Sequence, residues 1–229
     1  MKTLGLIGGT GWVSTVDYYK LINELTNEKL GGVNAAKLIL YSLNFGEIKP
    51  LLDINDWDSI SHIYISIALN LKGAGAAGIV LAANTPHLIA DKIKQAVQLP
   101  LIHIAEATAK AIQETGIKKV ALLGTRFTME NSFYKDALAV HGIETIIPNE
   151  TERHFIHSGI LNEMVKGVFT DTSKTTHLDI INRLILEGAE GIVYACTEIP
   201  ILLKDTSISV TTFDTTFIHA KAAVTFALG

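Results

Sequence analysis

The sequence holds a single cysteine, Cys196, in the run Tyr194-Ala195-Cys196-Thr197-Glu198-Ile199-Pro200. A thiol beside a hydroxyl and a carboxylate can serve as a nucleophile or as a base that moves protons. Ile192-Val193-Tyr194 just before it reads as a strand buried on both faces, and Pro200 suits the first turn of a following helix. Cys196 is therefore expected where a parallel strand hands over to a helix N-terminus, the edge at which open α/β sheets place ligands. Helix N–H groups there bind carboxylates and can lower a thiol pKa to about 3.5–7.5. The plain alternative is a buried cysteine packed as a small apolar residue. Polar neighbours at a strand end weigh against it. No Cys-His-Asn or Cys-His-Asp set can be assigned, which tempers a hydrolase reading.

A second copy of this stretch lies earlier in the chain. Gly75-Ala76-Ala77-Gly78-Ile79-Val80 aligns with Gly188-Ala189-Glu190-Gly191-Ile192-Val193, and carried forward without a gap Ala83 falls on Cys196 and Asn84 on Thr197. Two similar halves are implied, one carrying a thiol and the other a methyl group at the matching place.

These stretches must be positioned by a fold that the 229 residues can supply, enough for two small α/β units. Hydrophobic residues make up 48% and charged residues 18%, which excludes a disordered chain. A net charge of −4 without a Lys/Arg block argues against nucleic acid and anionic membranes, and apolar runs such as 78–83 are too short to span a bilayer. Met1 to Ile7 reads as a first buried strand rather than a signal segment. One cysteine excludes an internal disulfide and suits a cytoplasmic protein.

Strands are expected at 4–7, 38–43, 78–82, 100–104, 119–123, 144–147, 192–194 and 208–213, and they alternate with helices. The first helix runs from about Ser14 to Leu30 with Val16, Tyr19, Leu21, Ile22 and Leu25 on its apolar side. Lys119-Val120-Ala121-Leu122-Leu123-Gly124-Thr125 echoes Thr3-Leu4-Gly5-Leu6-Ile7-Gly8-Gly9. The expected architecture is α/β, two pseudo-symmetric doubly wound parallel-sheet domains with a site in the cleft between them. Residues 1–98 with 209–229 would form the first domain and 99–208 the second.

Gly8-Gly9-Thr10-Gly11 lacks the third glycine of a dinucleotide fingerprint and suits an anion nest for a substrate carboxylate. Asn84, Thr85, Thr125 and Thr197 all follow strands on one edge, where each could bind a carboxylate or simply cap a helix. Glu198 could be a first-turn acid favoured by the dipole or could orient a substrate amine or proton donor. His87 and His103 read as structural. Lys166, before Gly167, is either a solvated lysine or a partner for a substrate side-chain carboxylate. The eight histidines show no metal-binding spacing.

At Gly8-Gly9-Thr10-Gly11-Trp12, Asn84-Thr85-Pro86-His87, Leu123-Gly124-Thr125-Arg126, Gly191 to Glu198 and Phe213-Asp214-Thr215, the chain resembles the aspartate/glutamate racemase family over its whole length. Glu198 resembles the aspartate-type branch. The resemblance implies a racemase using neither pyridoxal phosphate nor a metal, with two cysteines acting on opposite faces of the substrate α-carbon. Cys196 would be the base for the L-enantiomer, with Thr10, Asn84, Thr85, Thr125, Lys166, Thr197 and Glu198 around the substrate. Ala83 departs from the pattern, because it stands where many members have the other cysteine. The implied partner is a small amino acid or dicarboxylate, and members often form homodimers. Two other readings stay open. One is a one-cysteine decarboxylase of malonate-type acids, as in the arylmalonate decarboxylases of the same superfamily. The other is a dicarboxylate-binding protein without turnover.

Overall fold

The structure, a computed structural model, describes residues 1–229. It divides into two compact units, residues 1–103 with 219–229, and residues 104–218. No helix is long and apolar enough to cross a membrane.

The first unit is built on β1 (Leu4–Gly8), β2 (Leu38–Ser42), β3 (Gly78–Leu81) and β4 (Leu101–Ile102), all parallel in the order β2-β1-β3-β4. Between them run α1 (Trp12–Leu30), α2 (Phe45–Asp53), α3 (Trp57–Gly73) and α4 (Ala90–Val97). The second unit begins with α5 (Ile104–Thr115), and its parallel sheet has β5 (Lys119–Gly124), β6 (Glu144–Ile146), β7 (Gly191–Ala195) and β8 (Thr211–Asp214) in the order β6-β5-β7-β8. Its helices are α6 (Arg126–Glu130), α7 (Ser132–Val140), α8 (Glu150–Asn162), α9 (Asp171–Leu186) and α10 (Ile199–Leu202). The chain closes with α11 (Thr215–Leu228).

The repeat read from the sequence is a repeat of register as well as of order. Leu4 pairs with Gly78, and at the aligned positions Val120 pairs with Gly191. β1, β3 and β7 are buried at every position, as parallel strands covered on both faces must be. The aligned glycines serve one purpose in both units, since each leaves room for an aromatic ring. A Cβ on Gly78 would lie 2.5 Å from the Phe226 ring, and one on Gly191 would lie 2.8 Å from that of Phe213.

Two expectations change. The last strand, β8, does not return to the first unit: it hydrogen-bonds along β7, with Phe213 buried over Gly191. Residues 209–218 therefore lie in the second unit and 99–103 in the first, while the rest of α11 does belong to the first. Second, α1 buries Ser14, Thr15, Tyr18, Ile22 and Thr26, leaving Val16 and Tyr19 more than half exposed. Ile22, with Leu21 and Leu25 beside it, does pack on the core, and hydroxyls fix the helix start: Thr15 Oγ1 donates to Gly11 O and accepts from Gly9 N–H. Residues 45–53 add a helix, α2, capped by Asn44, with Pro50 inside it.

Candidate active site

In the second unit β5 and β7 are neighbours, with Gly124 opposite Ala195. The approach is tight, and a Cβ on Gly124 would stand 2.4 Å from the Ala195 carbonyl oxygen. Thr125 and Cys196 therefore leave adjacent strand ends. Cys196, Thr197 and Glu198 are all buried. Glu198 Oε2 accepts two hydrogen bonds, from Cys196 Sγ at 3.0 Å and from Thr197 Oγ1 at 2.8 Å. The sulfur also packs in a core with Met129, Tyr194, Ile199 and Leu203. A lone apolar packing role does not account for its short contact with a carboxylate.

This geometry reverses the expected thiol acidity. Burial pushes the Cys196 pKa well above the ordinary thiol value, and the negative charge and hydrogen bond of Glu198 add to the rise. The N–H groups of Glu198 and Ile199 pull the other way, but less. The helix meant to lower it, α10, is only four residues long, so few peptide dipoles align behind the sulfur. Cys196 rests as a thiol whose hydrogen points at a carboxylate.

Thr125 caps α6, its Oγ1 accepting from Thr128 N–H at 3.3 Å. Lys166 ends a short 3-10 turn, Met164–Lys166, and is exposed.

In the first unit β1 and β3 deliver Thr10 and the Ala83-Asn84-Thr85 run from neighbouring strand ends. Gly9, at φ 90°, is obligatory: a Cβ there would fall 2.1 Å from Leu43 O. Thr10 Oγ1 lies 3.1 Å from the hydroxyl of Tyr64 on α3. Burial raises the Tyr64 pKa to about 12, against a smaller lowering by the Thr10 hydrogen bond, so the phenol keeps its proton. Ala83, Asn84 and Thr85 are buried, and a 3-10 turn, Thr85–Ile89, follows them. His87 on that turn faces Ala83 O at 2.9 Å through Nδ1. Tyr64 was not singled out in the sequence, because nothing local marks a tyrosine 54 residues from its partner. No group of three His, Cys, Asp or Glu side chains is arranged to hold a metal ion.

Three relatives match this chain over nearly its full length. A protein described as a candidate Asp/Glu racemase from Yersinia pestis superposes with a TM-score of 0.91 at 46% identity, covering 100% of both chains. An aspartate racemase homologue from Pyrococcus horikoshii superposes with a TM-score of 0.84 at 36% identity, again covering 100% of both. The broad specificity amino-acid racemase RacX of Bacillus subtilis is 25% identical over 233 residues, covering 96% of each. Residues 7–223 match the model of the Asp/Glu/hydantoin racemase family. The chain thus belongs to the Asp/Glu/hydantoin racemase family.

Proposed function

We propose that this protein is a cofactor-independent amino acid racemase of the aspartate type, in which Cys196 is the group that exchanges the substrate α-proton. The observation that carries the proposal is the Cys196 Sγ to Glu198 Oε2 contact at 3.0 Å, at the end of β7. A thiol with a raised pKa needs an acceptor before it can act as a base, and Glu198 is that acceptor. Its carboxylate takes the thiol proton, and the thiolate then takes the α-proton of the amino acid, leaving a carbanion stabilised as an enediolate. Return of the proton from the same sulfur regenerates the starting enantiomer. Thr197 in the second unit, and Thr10, Asn84 and Thr85 in the first, are neutral donors of the kind that suits the carboxylates of aspartate or glutamate.

Ala83 decides how the reaction is divided. It stands where the resemblance to the family places the other thiol, and a methyl group has no proton to give. Loss of one acid–base group typically costs about 10²–10⁴-fold, or roughly 3–5.5 kcal/mol in barrier. Hydrogen exchange with retention should therefore outrun inversion, water being the remaining acid for the far face. A single thiol is also sufficient for protonating an enediolate after loss of CO₂, so decarboxylation of a malonate-type acid is the second reading, favoured by the same alanine.

The test is a chiral separation after incubation with L- and D-aspartate and L- and D-glutamate, alongside CO₂ release from aryl- and alkylmalonates. Slow formation of the opposite amino acid enantiomer, abolished in Cys196→Ser, supports racemisation. CO₂ release without enantiomer conversion replaces it with the decarboxylase.

A further inference from the structure

Behind Ala83 and Asn84 lies a group of buried side chains that the proposed chemistry does not use. His87 and His219 are buried, and His103 is partly so. The His87 ring stands edge-on to His103 at 4.8 Å and to His219 at 5.5 Å between centroids. His103 ends the first segment of unit 1 and His219 begins the returning one.

The hydrogen bonds assign the tautomers. His87 Nδ1 faces two carbonyl oxygens, Ala83 O at 2.9 Å and Asn84 O at 3.3 Å. Carbonyls only accept, so Nδ1 carries the proton and Nε2, which has no hydrogen-bond partner, carries the lone pair. His219 is the opposite tautomer: Nε2–H donates to Ile102 O at 2.7 Å, and Nδ1 accepts from the Tyr18 hydroxyl at 2.8 Å. Each ring is therefore placed by bonds that its neutral form makes. A proton added to His87 would go to Nε2, buried beside two other imidazoles. The titratable groups acting on His87 are His103 and His219, neither of them acidic, with Tyr18 beyond on His219.

We propose that His87 is a positioning residue for substrate binding: its Nδ1–H pins the Ala83 and Asn84 carbonyls and so fixes the turn that presents Asn84 and Thr85. The binding role rests on the reading of Asn84 and Thr85 as carboxylate donors. The pin itself does not. Burial and the two neighbouring imidazoles hold the His87 pKa well below the ordinary histidine value, so the neutral tautomer that makes the pin is the one present at neutral pH.

Two variants separate the parts. His87→Asn keeps an N–H donor near the Nδ1 position, whereas His87→Phe keeps an aromatic ring and removes the donor. Two readouts are followed at pH 7.5: the Asn84 and Thr85 amide resonances, and KM for aspartate or glutamate α-hydrogen exchange. His87→Phe should shift both amides and raise KM by about five- to tenfold, as loss of one hydrogen bond predicts, with kcat little changed. His87→Asn should restore wild-type amides and KM. Wild-type amide positions in His87→Phe, or amides in His87→Asn shifted as far as in His87→Phe, overturns the pin. Absence of exchange in the wild type with every substrate refutes the substrate reading instead, and the amide arm still decides the pin.

Discussion

Lowering the pH from 7 to 5 should destabilise the first unit through His219. This ring is fully buried, and burial holds its pKa at about 4 against an ordinary 6.5, with a smaller contribution from His103 in the same direction and an opposing one from Ile102 O. In the unfolded chain the same histidine gains a proton as pH falls through about 6.5, whereas the folded chain resists until about 4. The unfolded state thus binds more protons across that window, and stability falls as pH falls. The drop from 6.5 to about 4 is worth about 3 kcal/mol when fully expressed, of which about 2 kcal/mol is lost between pH 7 and pH 5. His87 acts in the same direction. Both tryptophans, Trp12 and Trp57, lie in the first unit, so their fluorescence during urea denaturation reports on it. His219→Gln, which can keep a donor for Ile102 O, should cost about 1 kcal/mol at pH 7 because Tyr18 loses its acceptor. It should also remove about 2 kcal/mol of the pH dependence. An equal pH dependence in wild type and His219→Gln would refute the reasoning.

Glu198→Gln should separate thiol acidity from catalysis. Removing the charge that raises the Cys196 pKa makes alkylation by iodoacetamide at pH 8 several-fold faster, while α-proton exchange falls by about 10²-fold or more because the proton acceptor is gone. Ala83→Cys should bring the rate of enantiomer conversion up towards the rate of exchange, a gain of about 10²–10⁴-fold measured by chiral chromatography. Gly9→Ala should destabilise the protein by more than about 4 kcal/mol in chemical denaturation, since its Cβ meets Leu43 backbone at 2.1 Å. Gly31→Ala, also at positive φ but with nothing within 4 Å, should be far milder.

The strands were legible because a parallel sheet buried on both faces leaves continuous apolar runs, and the gapless repeat carried the register from Gly78 to Gly191. The placement of Cys196 at a strand end followed from the same run. Its acidity did not, because that depends first on how deeply the sulfur is buried and then on Glu198 turning back onto it. Hydrophobic periodicity marks Ile22 on the buried side of α1 but not Ser14 and Thr15, whose hydroxyls bond to Gly9 and Gly11 at the helix start. β8 was placed in the wrong sheet because short edge strands choose a partner by packing, here Phe213 over Gly191. The Tyr18–His219 bond joins residues 201 positions apart, so no local pattern announces it.

The most direct test of Cys196 as the proton-transferring group is NMR of L-aspartate and L-glutamate in heavy water at pH 8 with the wild-type protein and Cys196→Ser. Loss of the α-proton signal with wild type, faster than the opposite enantiomer accumulates, and no loss with a folded Cys196→Ser is the predicted result. Equal exchange by the two proteins would contradict it.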